Sequence, residues 1–253
     1  FREFTAPIRE RLDKMGIHEP ELKPLERFIG PPLYDEFRRS YGFDDAQAKQ
    51  AIAFYRERFG VVGWKENMLY NGIPELLKAL TDAGKTLSTA SSKPAFFIDK
   101  IVKYFNIDQY FTVVSGATLD GTIGTKAQVT QQALDRLRVQ DLSQAVLVGD
   151  RLHDVEGAKQ CGIDCIGVTF GFGDREELED AGAKHVVDRV EELLPLLMKD
   201  KLLAKGVSHL LSSQLTRILR THTAMSVLGH GLLRGAGLGG PVGAALPFLY
   251  YSR

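Results

Sequence analysis

Between Ile73 and Gly173 the sequence alternates helical segments with short apolar runs, four times over, and this rhythm limits the fold more than any other feature. "IPELLKALTDAG" is a helix closed by Gly84 and "KTLSTAS" a strand. "PAFFIDKIVKYFNI" is a helix and "FTVVSG" a strand. "KAQVTQQALDRLRV" precedes "AVLVGD", and "DVEGAKQCG" precedes "DCIGVTFG". Short apolar runs separated by helices of roughly 10–15 residues indicate a parallel sheet with helices on both faces. Ligands of such sheets bind at the carboxyl ends of the strands. Four places therefore qualify: Ala90–Lys93, Ser115–Gly116, Gly149–Asp154 and Phe170–Gly173.

Residues 1–68 read differently, as a helical unit. Phe4, Ile8, Leu12 and Met15 fall on one helical face. "FIGPPL" interrupts the pattern as a loop, and "DDAQAKQAIAFYRERFG" is a helix with an Asp cap that ends at Gly60. The expected organisation is a helical domain over 1–68, an α/β core over 69–200 and a tail over 201–253.

Charge sets the tail apart. From Lys201 onward there are six Lys or Arg and no acid, so a net-neutral chain divides into a body of −6 and a tail of +6. An acidic body with one basic end does not suit nucleic-acid binding. Within the tail, Leu203, Val207, Leu210, Leu211, Leu215, Ile218 and Leu219 form an apolar stripe beside basic residues. Such a helix could lie on a membrane or a partner, but a plain packing helix or a foreign stretch explains it more simply. The Gly-rich run from Gly229 is a weak membrane-spanning candidate. "AALPFLYY" could in principle add a strand to the sheet, although Pro247 argues against a central one.

Cys161 and Cys165 have no neighbouring Cys or His and are expected to be buried and reduced, in a cytoplasmic chain without a secretory signal.

Three stretches carry chemistry. In "VLVGDRLHD" a strand delivers Asp150 to its carboxyl end and Asp154 follows four residues on. Two carboxylates on one side of a first helical turn suit Mg²⁺ beside a phosphate. The plainer reading makes Asp150 a helix cap and Asp154 a solvated first-turn acid. In "TASSKP", serine hydroxyls before a helix start form a phosphate cradle or a simple cap. Lys126 opens a helix, where its charge opposes the dipole, so a nearby anion would account for it.

Together with "ENMLYNGIPELLKAL" and "GVTFGFGDREELEDAGA", these stretches resemble the haloacid dehalogenase superfamily. The resemblance is to the branch with an early helical cap, typified by phosphoglycolate phosphatase. It implies a Rossmann-like parallel sheet with a small α-helical cap and a Mg²⁺-dependent phosphatase acting on a small phosphorylated metabolite such as phosphoglycolate. Ser91 would bind the transferring phosphoryl group with Ser92 beside it, and Lys126 would steady phosphate and nucleophile. Asp150 and Asp154 would serve the metal. Gly30 and Pro31, in "FIGPPL", would face the substrate from the cap. Gly149-Asp150 points to phosphatases rather than sugar-phosphate mutases, and the two acids to a metal rather than metal-free dehalogenase chemistry.

One part of the pattern is missing. The family attacks phosphorus with an aspartate of Asp-x-Asp-Gly-Thr on a strand before the cap, and no such motif occurs in the 253 residues. "LDGT" at 119–122 is a lookalike: the nucleophile position two residues before Asp120 is Thr118. The resemblance therefore implies an N-terminally truncated phosphatase lacking its first strand and nucleophile, and poorly active at best. A non-catalytic relative that binds phosphate and Mg²⁺ is the alternative.

Overall fold

The computed structural model describes residues 2–202, apart from 22, 29, 30, 62 and 66, together with 248–251. The apolar stripe of 203–219 and the Gly-rich run lie outside the described residues, as does Gly30. Among the described residues no helix is long and apolar enough to cross a membrane.

The first layer is helical. α1 (Arg2–Lys14), α2 (Leu33–Tyr41) and α3 (Asp45–Val61) enclose their own core of Ile8, Leu12, Phe28, Phe37 and Tyr55. The cap expected at the start of α3 is present. The Asp44 carboxylate accepts from the Gln47 N–H at 2.8 Å, and the Gln47 side chain accepts from the Asp44 N–H at 3.0 Å, satisfying two donors at the helix start. The helix runs past Gly60 to Val61 rather than stopping there. "FIGPPL" is loop only in part: a short 3-10 helix reaches Phe28, and Leu33 begins α2.

The α/β rhythm is realised as α4 (Ile73–Asp82), β1 (Thr86–Thr89), β2 (Ser91–Pro94), α5 (Ala95–Tyr104), β3 (Gly116–Ala117), α6 (Lys126–Leu137), β4 (Ala145–Gly149), α7 (Leu152–Gln160), β5 (Asp164–Val168), α8 (Arg175–Asp180), β6 (His185–Val187) and α9 (Leu193–Leu202). "KTLSTAS" is split at Ala90 into two strands belonging to different sheets. "FTVVSG" is not a regular strand: Val113 forms an isolated parallel bridge to Ser88, and only Gly116 onward pairs, with β2. Backbone bonds still link the segments, Thr112 N–H to the Leu87 carbonyl at 2.9 Å and Thr89 N–H to the Val113 carbonyl at 3.2 Å, and a side chain adds to them. The Thr89 hydroxyl donates to the Ser115 carbonyl at 2.8 Å and accepts from the Ser115 N–H at 2.9 Å.

The main sheet has the order β1-β7-β4-β5-β6, where β7 is Phe248–Tyr251. β4, β5 and β6 are parallel, whereas β7 is antiparallel to both β1 and β4. This overturns the expectation that Pro247 excludes a central strand. Pro247 lies one position before the strand, so no ladder donor is lost. The vacancy between β1 and β4 would otherwise leave two facing rows of unpaired backbone groups.

Alternate strand residues feed the two faces. Leu87, Val148 and Ile166 join Leu77, Leu80 and Ile98 on one side. Leu147 and Cys165 join Val129, Ala133, Leu134 and Val155 on the other, largely beneath α6 and α7. Cys161 and Cys165 are free and buried as expected, and burial raises both thiols, so neither is a ready nucleophile.

Candidate functional site

β4 ends at Gly149, and the chain turns through Asp150 and Arg151 into α7. The turn is held by Asp154, whose Oδ2 accepts from the Asp150 and Arg151 N–H groups at 3.0 Å each. Gly149 allows this approach. A Cβ there would stand 2.3 Å from the Asp154 Cβ, well inside contact distance. The plainer reading of the pair is thus corrected on both counts: Asp154 rather than Asp150 caps the turn, and it is 2% exposed rather than solvated.

Lys126, the first residue of α6, reaches the same place from the neighbouring crossover. Its ammonium lies 2.6 Å from Asp154 Oδ1 and donates to the Ala90 carbonyl at 3.0 Å. The contact to Oδ1 is an ion pair. Gly157, one turn into α7, makes room for the lysine stem: a Cβ there would meet Lys126 Cγ at 2.5 Å. Lys126 thereby joins the end of β1, just before Ser91, to the carboxylates at the end of β4.

Asp150 ties in a third strand end, that of β5. Its Oδ2 accepts from the Phe172 N–H at 2.9 Å, and its carbonyl accepts from the Gly173 N–H at 2.8 Å. The loop after β5 therefore closes over it, and Gly171 is needed there because a Cβ would come within 2.3 Å of the Asp150 carboxylate. Burial raises the Asp150 carboxyl well above the ordinary carboxylate range, and the Asp154 charge adds to this; Phe172, Lys126 and Arg151 oppose it. Tyr70 is pushed up to about 12, mainly by burial and secondarily by the Asp150 charge. Glu177 braces the same turn, accepting from Arg151 Nε at 2.7 Å and the Leu152 N–H at 2.8 Å.

Ser91 is buried at the start of β2, and its hydroxyl accepts from the Lys93 N–H at 3.2 Å. The serines lie on a strand rather than in a helix cap, since α5 begins only at Ala95. The Ser92 hydroxyl is buried and has no hydrogen-bond partner among the described residues. Pro31 lies in a bend before α2 and is half-buried.

Asp120 stands apart from this cluster. It is exposed, and its Oδ1 accepts from the Thr122 N–H at 3.0 Å and the Thr122 hydroxyl at 2.9 Å. The Thr118 and Thr122 hydrogen bonds hold it down at about 2, and Gly121 at φ 82° completes a tight turn.

The metal expectation can be tested on these contacts. Two buried carboxylates stand together with one lysine paired to Asp154, and Asp150 is raised first by burial and then by the Asp154 charge, so a further cation beside Asp150 would offset both. A divalent cation fits that need. Both Asp154 oxygens are engaged, whereas Asp150 keeps Oδ1. Among the described residues no group of three or more His, Cys, Asp or Glu gathers to hold a metal. A cation there would meet Asp150 Oδ1, with Asp154 holding the turn that carries it.

The family model for haloacid dehalogenase-like hydrolases matches residues 4–168. The chain belongs to that family. It is 44% identical over 175 residues to a 5′-nucleotidase of Pseudomonas aeruginosa, covering 69% of this chain and 79% of that protein. Among solved structures it is similar to a predicted phosphatase from Clostridium acetobutylicum, with a TM-score of 0.74 and 38% identity over 78% of this chain and 91% of that one. These relatives place it with the phosphoric monoester hydrolases. A 60-residue stretch, 24% of the chain, is 93% identical to the UPF0174 protein YaaW of Escherichia coli, of which it covers 25%.

The sequence motifs thus bring Ser91, Lys126, Asp150 and Asp154 to one region of the sheet, and leave Asp120 outside it. Gly157, Gly171 and Glu177 were not singled out from the sequence. Each lies inside or beside a quoted motif, and a mid-helix glycine such as Gly157 is the kind of signal that marks a close approach.

Proposed function

We propose that the cluster is a phosphate-monoester site that takes Mg²⁺ and that this chain binds such esters without hydrolysing them. The observation carrying this reading is the identity of the strand between β1 and β4. That position is held by Phe248–Tyr251, which contains no acid, so no carboxylate nucleophile is delivered beside Asp150.

Asp150 would ligate the metal, and Asp154 would hold its turn in place. Mg²⁺ bound there would screen the charge of the phosphoryl group. Lys126 would neutralise the phosphate as it now neutralises Asp154, and the Ser91 hydroxyl would hydrogen-bond a phosphoryl oxygen. Attack on phosphorus requires a group that these residues do not include. Lys126 and Asp154 are already mutually paired, and Asp120 is tied into its own turn.

The substrate class is a small phosphate monoester. Phosphoglycolate follows from the sequence resemblance, and the printed name of the Pseudomonas relative adds nucleoside monophosphates. We further infer that the YaaW-like stretch includes the tail, 201–253, and begins a few residues before it: the matched 60 exceed the tail's 53, the tail's charge differs from the body, and the family match ends at residue 168. The test is phosphate release with Mg²⁺ from p-nitrophenyl phosphate, comparing this chain with one preceded by a strand bearing Asp-x-Asp-Gly-Thr. The extended chain should turn over, and this chain should fall below it by at least about three orders of magnitude.

A further inference from the structure

We propose that Tyr70 and Phe170 form an aromatic wall beside the strand-end cluster, which selects esters whose alcohol part carries a flat aromatic ring. The inference rests on the phosphate reading of Ser91, Lys126 and Asp150 and names a substrate class within it.

The two rings come from distant parts of the chain, the segment before α4 and the loop after β5. They meet edge to face, with centroids 5.2 Å apart and planes at 68°. Each backbone is fixed. The Ile73 N–H donates to the Tyr70 carbonyl at 3.2 Å where the chain turns into α4. Phe170 stands between two anchored stretches. On one side the Thr169 N–H donates to the Val187 carbonyl at 3.0 Å and the Thr169 hydroxyl to Asp188 at 2.7 Å. On the other the Phe172 and Gly173 N–H groups bond Asp150. Rings held in this way lose little freedom when a ligand arrives.

The wall adjoins Asp150. A Cβ on Gly171 would stand 2.3 Å from Asp150 Oδ2. Phe170 is the next residue back, so its Cα lies within about 8 Å of that carboxylate. Tyr70 is in the field of the same group: after burial, the Asp150 charge is the second cause that pushes its phenol up to about 12, so it stays a neutral donor. Both rings pack against the core cluster that includes Ile166, Val168 and Val187, yet both remain half-exposed at the strand ends. An aliphatic group on this wall would gain only from the area it removes from water. A flat ring gains an edge-to-face or offset contact in addition.

The experiment is calorimetric titration of the full chain with Mg²⁺ present, using inorganic phosphate, phenyl phosphate and cyclohexyl phosphate. The two esters are similar in size, and only the first carries a flat ring. The parent should bind phenyl phosphate about fivefold more tightly than cyclohexyl phosphate, the gain expected of one aromatic pair. That preference, read as a ratio within each protein, should vanish in Phe170→Leu and in Tyr70→Leu and persist in Phe170→Trp. Phosphate binding with no preference in the parent, or with the preference kept in Phe170→Leu, would overturn the wall and leave the phosphate reading standing. A parent that binds none of the three would remove both.

Discussion

Lys126 and Asp154 form the tightest charge pair of the site, with Lys126 8% exposed and Asp154 2%. Removing one member of a buried pair strands the other, so Lys126→Met should cost about 3 kcal/mol in urea unfolding. Adding Asp154→Asn to that variant should recover part of the loss; no recovery would mean that the pair is not what holds the turn. Asp150 behaves in the opposite sense. Its carboxyl is raised above its unfolded value, so the folded state binds the extra proton and loses stability as pH rises from the ordinary carboxylate range through the raised value. Asp150→Asn should therefore melt higher than the metal-free parent at pH 8, with the gap closing toward pH 4, and should no longer be stabilised by Mg²⁺. Equal melting at both pH values would contradict the burial assigned to this carboxylate. The sequence showed these side chains because strand ends are where such sheets keep their chemistry, and the spacing of four between Asp150 and Asp154 was legible. It did not show that Asp154 spends both oxygens on the turn and on Lys126. That outcome depends on how α6 and α7 pack, with Gly157 admitting the lysine stem.

At the scale of elements, helices were read most faithfully, since their periodicity and caps are local. The α3 capping box at Asp44 and Gln47 is an example. Strands were harder, because a strand exists only through its neighbour. "FTVVSG" carries the right composition, yet it makes only an isolated bridge and scattered backbone bonds to β1, with the Thr89 hydroxyl bonding the Ser115 backbone beside them. β7 is the clearest case. Its place between β1 and β4 is created by the vacancy in the sheet, something no window of local sequence contains. Leu249, opposite both Ser88 and Leu147, gives the test. A proline there removes a ladder donor from a central strand, so Leu249→Pro should broaden and lower the thermal transition while Leu249→Ala retains cooperativity. A proline variant melting like the parent would show that β7 does not complete the sheet.

The whole molecule joins a helical cap, an α/β layer of the haloacid dehalogenase-like hydrolase family, and the strand Phe248–Tyr251 seated between β1 and β4. On the proposed reading none of these 253 residues supplies a nucleophile. Asp120 is held in a surface turn, and Asp150 and Asp154 are committed to the strand-end turn. The decisive measurement is Mg²⁺-dependent phosphate release by this chain beside the same chain carrying an N-terminal strand with Asp-x-Asp-Gly-Thr. Turnover only in the extended chain is the predicted result. Comparable turnover by the chain alone would mean that one of its own side chains supplies the nucleophile, contradicting the account.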